Sequence, residues 1–121
     1  MKGERLYTKT HEWVEKLDET TVRVGLTEYA ASELGDLVFI NLPEVGEELV
    51  IGDSFSDVES VKAVSSVYSP VTGVIKDINE ELLDNPELVN EDSEKAWFVV
   101  IEEVSEIEEL LTFEEYIKII D

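Results

Sequence analysis

One lysine, Lys62, stands apart from the other basic residues of the chain. It is the only lysine or arginine between Arg23 and Lys76, in a 121-residue chain with a formal net charge of −21. It lies midway between two strand-like segments, 54–60 and 63–68, so we predict that it projects from the tip of a hairpin. There its amine could be modified by an enzyme and carry a long arm, or it could be an ordinary solvated turn residue. Local chemistry alone leaves both interpretations open.

The predicted turn at Val61 and Lys62 departs from the usual sequence of a two-residue hairpin. Such turns favour Asn-Gly or Asp-Gly because both central residues adopt positive φ. Val-Lys violates that preference, and a broken local rule at a hairpin tip often marks a functional site. The turn chemistry therefore adds to the case that Lys62 is displayed for a purpose.

The composition excludes several kinds of site. The absence of cysteine rules out a disulfide framework, a thiolate metal site and a cysteine nucleophile. With one histidine, His11, a histidine-rich metal site is excluded as well, and we predict no metal. We find no cluster of histidine, cysteine or convergent acids that a pocket enzyme would need. The strong negative charge disfavours nucleic acid and anionic membranes as partners and suits docking on basic patches of larger proteins.

Short strands separated by turn residues predict a mainly β sandwich or barrel with peripheral helices. A short helix is predicted over 28–34, with Thr27 as N-cap and Gly35 just past its end. Asn79 is predicted to cap one helical turn that Asn85 and Pro86 end. The predicted strands cover residues 6–8, 12–14, 21–26, 36–42, 49–51, 54–60, 63–68, 71–78 and 95–102.

Two helices are predicted in the tail, over residues 105–120. Ser105 with Glu108, and Thr112 with Glu115, form capping boxes. An apolar stripe at helical spacing is expected to pack on the body of the protein as core. Its members are Leu110, Phe113, Ile117 and Ile120.

The length predicts a single domain, 1–121, with its core at about 6–102. No apolar run approaches the roughly 18 residues that span a bilayer. Residues 1–5 lack the features of a secretion signal or a transit peptide, so we expect a bacterial or archaeal cytoplasm. A monomer is the default expectation.

Several segments together resemble the H proteins of the glycine cleavage system. Residues 59–63 resemble the family's lipoylation motif, and 69–73 follow at the distance typical of H proteins. The resemblance covers roughly residues 6–101. The other matching segments are 7–14, 24–30, 34–39, 42–46 and 86–90.

The resemblance implies a lipoyl/biotinyl-type flattened β-barrel, a barrel-sandwich hybrid, with lipoate bound as an amide to Lys62. It implies a non-catalytic carrier that moves the aminomethyl group of glycine from a PLP-dependent decarboxylase to a folate-dependent aminomethyltransferase. The remaining partners would be dihydrolipoyl dehydrogenase and a lipoate ligase or lipoyl/octanoyl transferase. Biotin carriers resemble Ala-Met-Lys-Met at the lysine, and Val61 and Ala63 do not match that motif.

Three acidic or basic residues receive roles from the resemblance or from their charge. Glu59 would help the lipoylating enzyme to recognise the site, or it is an exposed strand carboxylate. His11 and Glu12 would line a groove where a loaded arm rests, with Glu12 favouring the cationic amine. His11 could instead cap a turn structurally.

The chain departs from the family pattern around residues 92–96. Ser93 and Glu94 replace a usual Pro-Tyr, and Ala96 stands where glycine is usual. These changes keep open an alternative function, an H-like lipoyl protein that acts in lipoate assembly, in a relay or in sulfur metabolism.

Overall fold

The computed structural model describes residues 5–120, and residues 1–4, on which part of the targeting prediction depends, lie outside the described residues. The strands are β1 (Arg5–Tyr7), β2 (Glu12–Asp18), β3 (Thr21–Leu26), β4 (Leu37–Ile40), β5 (Glu48–Leu49), β6 (Ser54–Ser60), β7 (Val64–Tyr68), β8 (Val71–Ile78) and β9 (Trp97–Ile107). The helices are α1 (Glu28–Leu34), α2 (Glu81–Asp84), α3 (Leu88–Glu91) and α4 (Phe113–Ile120).

The strands form two antiparallel sheets that enclose one core. The larger sheet has the order β1-β2-β3-β9-β8-β5, and the smaller has the order β4-β6-β7. Val58 and Val67 of the smaller sheet and Val24 and Ile101 of the larger are fully buried in the same apolar cluster. The sheets do not close into a continuous barrel. The predicted mainly β, flattened barrel-sandwich with peripheral helices is therefore confirmed.

Helix α1 begins and ends where its capping residues predict. The Thr27 hydroxyl accepts a hydrogen bond from the backbone N–H of Ala30 at 3.2 Å. Gly35 adopts φ 85°, which side-chain-bearing residues rarely adopt, and its N–H donates to the Ala31 carbonyl at 3.1 Å. This helix carries the chain from β3 to β4 and places Gly35 beside the hairpin described below.

The helix predicted to begin at Ser105 is wrong, because β9 continues to Ile107. Its last residues pair with β8, Glu106 opposite Thr72 and Ile107 opposite Val71. A ladder of interstrand hydrogen bonds to β8 outweighs a local capping box, which stabilises a helix end by about 1 kcal/mol.

Helix α4 forms as predicted, but it packs through a different residue. The Thr112 N–H donates to the Glu115 carboxylate at 2.9 Å, and the Glu115 N–H donates to the Thr112 hydroxyl at 3.2 Å, as in a capping box. Phe113 and Ile117 of the predicted stripe are 57% and 40% exposed, whereas Tyr116 is buried. Tyr116 is favoured at the contact because its ring stacks on Tyr7 and its hydroxyl finds buried polar partners.

The helical turn expected after residue 79 is present as α2, but Asn79 does not cap it. Its side-chain amide donates instead to the Trp97 carbonyl, at 2.9 Å. Helix α3, which the sequence did not predict, begins two residues after Pro86, at Leu88. No helix within residues 5–120 is long and apolar enough to cross a membrane.

Candidate functional site

Lys62 lies at the tip of a hairpin made by β6 and β7, as predicted. Glu59 pairs with Val64, and the Ser60 N–H donates to the Ala63 carbonyl at 2.8 Å, so Val61 and Lys62 form a two-residue loop. Both loop residues are exposed. Residues 60–63, the tip turn, therefore present the Lys62 side chain to solvent.

The tip turn avoids the positive φ angles that its two-residue length suggested. Among residues 5–120, the only non-glycine residues with positive φ are His11 and Glu103. The Ser60 hydroxyl accepts from the N–H groups of Lys62 and Ala63, at 3.2 and 3.0 Å. Because this hydroxyl accepts hydrogen bonds from the backbone N–H groups of the turn, Val61 and Lys62 are accommodated without a type I′ or II′ turn. The inference of a broken rule at the tip was wrong, although the position of the turn was right.

The tip turn is supported by the segment that follows α1. The Val61 N–H donates to the Asp36 carbonyl at 3.3 Å. The Lys62 stem lies over Gly35, where a Cβ atom would stand 3.3 Å from the lysine Cε and 3.9 Å from Nζ. Glycine at position 35 thus serves both the positive φ of the helix end and the passage of the lysine side chain.

Asn90 holds this supporting segment in place, and sequence reasoning assigned it no role. Its side-chain amide donates to the Gly35 carbonyl, and its side-chain oxygen accepts from the Leu37 N–H, both at 2.9 Å. These two hydrogen bonds hold the backbone on both sides of Asp36, and they thereby set the direction of the short connection between α1 and β4. The only sequence indication was that Asn90 falls within one of the segments of family resemblance.

Glu59 lies one residue before the tip turn, on the outer face of the smaller sheet. It pairs with Phe39 on one side and with Val64 on the other. No side chain of residues 5–120 forms a hydrogen bond or a salt bridge with its carboxylate. Glu59 is therefore close to Lys62 and available to another molecule.

Glu12 is enclosed by hydroxyl groups at the opposite end of β7. One carboxylate oxygen accepts from the Thr8 and Thr10 hydroxyls, at 2.6 and 2.5 Å. The other accepts from the Tyr68 N–H at 3.3 Å. The side chain is 1% exposed, and burial raises its pKa to about 7, although these hydrogen bonds act in the opposite direction. A buried carboxyl without a cationic partner is suited to receive one.

Strand β7 connects the two acidic positions and the lysine. It begins directly after the tip turn and ends at Tyr68, whose N–H contacts Glu12. At about 3.3 Å per residue, Lys62 and Tyr68 are about 20 Å apart along the strand. The structure therefore places Lys62 and Glu59 at one end of β7 and Glu12 at the other.

His11 faces away from Glu12, toward the C-terminal helix. Its ring packs against Tyr29, with centroids 5.0 Å apart, and its Nδ1 lies 2.8 Å from the Tyr116 hydroxyl. The same hydroxyl lies 2.7 Å from the Thr27 hydroxyl. Burial lowers the pKa of His11. These contacts favour a structural role for His11 over a role in lining a groove beside Glu12. The positive φ of His11, 76°, also fits a structural position in a turn.

We expect Glu12 to make the folded chain less stable as the pH rises from 4.5 to about 7. Over this interval the unfolded chain ionises the carboxyl, whereas the folded chain keeps it neutral. The raised pKa adds about 3 kcal/mol to the free energy of unfolding below pH 4.5, and this stabilisation is lost as the pH rises from 4.5 to about 7. Urea unfolding at several pH values should therefore give a flatter profile for Glu12→Gln. The exposed control Glu19→Gln should keep the wild-type profile, and an unchanged slope in Glu12→Gln would contradict the assignment.

The segment that departs from the family pattern is built into the structure through its backbone. The buried Trp13 donates from Nε1 to the Ser93 carbonyl at 3.0 Å. Ser93 and Ala96 are themselves buried, at 6% exposure each. Because Trp13 contacts a carbonyl, the identity of the side chain at position 93 matters less than the course of the backbone.

Comparison with known proteins gives one consistent result. A family model described as glycine cleavage H-protein matches residues 5–121. The chain is 62% identical to the glycine cleavage system H protein of Lachnoclostridium phytofermentans over 111 residues, 92% of this chain and 87% of that one. Its identity to the Geobacillus thermodenitrificans protein of the same name is 53% over 113 residues, 91% of this chain and 88% of that one.

A solved structure is similar to this chain over nearly its whole length. The crystal structure of a glycine cleavage system H protein from Mycobacterium marinum superposes with a TM-score of 0.88 at 38% sequence identity. The match covers 98% of this chain and 97% of that chain. The similarity therefore includes the smaller sheet, the helices and the tail.

Proposed function

This chain belongs to the glycine cleavage H-protein family, and from this membership we propose that it is the lipoyl-carrying shuttle of the glycine cleavage system. We propose that lipoate is attached as an amide to Nζ of Lys62. The observation that carries the proposal is the position of Lys62, exposed on a two-residue loop in a chain that matches the family over residues 5–121.

The residues around Lys62 fit a lipoyl amide. No carboxylate of residues 5–120 forms a salt bridge with its amine, so no ion pair is lost when the amine becomes a neutral amide. The stem is bounded on one side by Gly35, which leaves the side chain free to extend into solvent. When bound, the lipoyl group supplies a dithiolane that accepts the aminomethyl group of glycine and is reoxidised after the group has been passed on.

We infer that Glu12, whose carboxyl is buried at the end of β7, stabilises a cation brought to that end of the strand. An amine near its carboxylate would favour the ionised form and would lower the pKa of Glu12 from about 7. The hydroxyls of Thr8 and Thr10 already orient the carboxylate, so little reorganisation is needed. Glu12 would thereby hold a cationic load in a buried position away from bulk water.

The partners that we propose are those of the glycine cleavage system. They are a PLP-dependent glycine decarboxylase, a folate-dependent aminomethyltransferase and dihydrolipoyl dehydrogenase, with a lipoate ligase or lipoyl/octanoyl transferase for loading. A net charge of −21 would steer the carrier to basic surfaces around their active sites. The chain itself would supply position and effective concentration and not catalysis. We propose a monomer in a bacterial cytoplasm.

Reconstitution with the decarboxylase tests this function. We expect the lipoylated chain to support exchange of glycine carboxyl carbon with bicarbonate, and the unlipoylated chain to support none. Intact mass establishes the loading state of each sample. A fully lipoylated chain that fails to support exchange, with a known H protein active in the same assay, would contradict the glycine cleavage role.

The alternative in lipoate assembly or sulfur metabolism is not favoured. Its sequence basis was the departure at residues 92–96, and the structure accommodates that segment through the Trp13 hydrogen bond to the Ser93 carbonyl. The relatives described above carry the name glycine cleavage system H protein.

A further inference from the structure

The Glu12 carboxylate is tied to the backbone of the turn that carries it, residues 8–12 (the Glu12 turn). The Thr8 hydroxyl accepts from the Glu12 N–H at 2.9 Å and donates to the Glu12 carboxylate at 2.6 Å. Backbone hydrogen bonds close the turn: the Thr8 N–H donates to the Glu12 carbonyl at 2.9 Å, and the His11 N–H donates to the Thr8 carbonyl at 3.2 Å. A shift of the turn therefore moves the carboxylate with it.

Tyr116 of α4 contacts the Glu12 turn from the C-terminal end of the chain. Its hydroxyl lies 2.8 Å from His11 Nδ1 and 2.7 Å from the Thr27 hydroxyl. The side chain is buried, and its ring stacks on Tyr7 with the centroids 5.0 Å apart. Just before α4, Leu111 forms two backbone hydrogen bonds with Tyr7, at 2.8 and 2.7 Å. The Tyr116 hydroxyl therefore has a fixed position from which it holds His11.

His11 has a backbone conformation that needs support from outside the Glu12 turn. Its φ of 76° lies in the left-handed region, which residues with a side chain seldom adopt unless their surroundings enforce it. The Thr27 N–H donates to the His11 carbonyl at 3.1 Å, and the Tyr116 hydroxyl binds the ring. Without that hydroxyl, the carbonyl bond is the one hydrogen bond from outside the turn that the described residues give His11.

We propose that Tyr116 is a positioning residue that acts through His11 to hold the Glu12 carboxylate in the orientation that receives the cationic load of the arm. The proposal rests on the proposed function, in which Glu12 stabilises that cation. Orientation matters because hydrogen bonds weaken steeply when they are misaligned, and a carboxylate that is 1% exposed has few alternative partners. Helix α4 thereby contributes to holding the load, although Tyr116 forms no hydrogen bond with Glu12.

Hydrolysis of the loaded arm measures how well the cation is held. Water attacks the aminomethyl carbon, the C–S bond breaks and the sulfur takes up a proton, which leaves the reduced arm and releases formaldehyde and ammonia. The carrier is loaded from glycine by the decarboxylase, separated from that enzyme and followed without aminomethyltransferase. Since the chain has no cysteine, each thiol that appears belongs to the arm and is counted with a chromogenic thiol reagent. A load held at Glu12 hydrolyses slowly.

The variant Tyr116→Phe removes the hydroxyl and keeps the ring that stacks on Tyr7. We expect hydrolysis to become about fivefold faster, which is the effect of one lost hydrogen bond. Tyr29→Phe is the matched control, because the Tyr29 ring also packs on His11 but its hydroxyl forms no hydrogen bond within residues 5–120. This control should change the rate by less than about 1.5-fold. Circular dichroism melts establish that both variants are folded.

A Glu12→Gln background distinguishes positioning from a general structural role. Glu12→Gln alone should hydrolyse faster than the wild type, since its neutral amide no longer attracts the cation. Adding Tyr116→Phe should then leave the rate unchanged, because the carboxylate through which Tyr116 acts is absent. A similar acceleration by Tyr116→Phe in both backgrounds would show that Tyr116 only stabilises the fold, and it would overturn the proposal.

The same rates separate this proposal from the proposed function. If Glu12→Gln is fast and Tyr116→Phe matches Tyr29→Phe, the positioning role is wrong and the holding role of Glu12 stands. A wild-type rate in Glu12→Gln would contradict the holding role of Glu12, and the role of Tyr116 with it. Failure of the lipoylated wild type to take up the aminomethyl group would contradict the carrier function itself.

Discussion

Lys62→Arg is expected to abolish lipoylation and all carrier activity while leaving the fold unchanged. Arginine keeps the positive charge and the length of the side chain, but its guanidinium stays protonated and does not form the amide. The side chain is exposed on the tip turn and forms no salt bridge within residues 5–120, so the melting temperature should move by less than about 2 °C. Intact mass after incubation with ligase, lipoate and ATP measures the loss directly.

Lys76→Arg is the matched control for this experiment. Lys76 is an exposed lysine on β8, outside the hairpin, and its replacement should leave one lipoyl group per chain. Peptide mapping of the loaded wild type should locate the added mass at residue 62. A loaded Lys62→Arg variant, or a control that loses its modification, would place the lipoyl group elsewhere.

Gly25→Ala is expected to produce a large loss of stability. A Cβ atom at position 25 would stand 2.5 Å from both Cε2 and Cζ2 of Trp13, well inside van der Waals contact. Trp13 is 1% exposed and cannot retreat easily, because Nε1 is bonded to the Ser93 carbonyl and the Arg5 guanidinium lies 3.8 Å from its ring centroid. We expect a loss of about 3 kcal/mol in the free energy of unfolding, measured by urea denaturation.

A double-mutant cycle identifies the cause of that loss. Trp13→Phe removes the part of the indole that the new Cβ would strike, at the cost of a cavity and of the hydrogen bond to Ser93. If the clash dominates, Gly25→Ala should cost much less in the Trp13→Phe background than in the wild type. Additive losses would show that the two residues do not oppose each other and would contradict the packing argument.

Both predictions depend on residues whose identity was visible in the sequence but whose neighbours were not. A glycine within a strand indicates close approach by another group, but it does not name Trp13 as that group. In the same way, the isolation of Lys62 indicated display, whereas its passage over Gly35 and the clamp by Asn90 required the folded chain.

The errors in the sequence predictions have a common origin. The capping box at Ser105, the positive φ expected at the tip turn and the apolar stripe on α4 were all inferred from neighbours in the chain. The residues after Ser105 pair with β8 and so continue β9. The Ser60 hydroxyl bonds the backbone of the tip turn, which then needs no positive φ. Helix α4 packs through Tyr116, whose hydroxyl lies beside His11, and not through the apolar stripe.

The sequence by itself determined the features that depend on local patterns. These are the hairpin with Lys62 at its midpoint, the start and end of α1, the mainly β class, the exclusion of cysteine chemistry and the family resemblance. They follow because strand alternation, helix caps and motif spacing act over a few residues.

Tertiary structure alone decided which residues surround the lysine and the acidic positions. Glu12 and His11 are adjacent in the chain, yet one is enclosed by Thr8, Thr10 and Tyr68 while the other packs on α4. Phe39 reaches the side of Glu59 only because β4 pairs with β6. The physical reason is that burial and cross-strand contact depend on which elements meet. The energy of those contacts exceeds the energy of the local conformational preferences on which the sequence predictions were based.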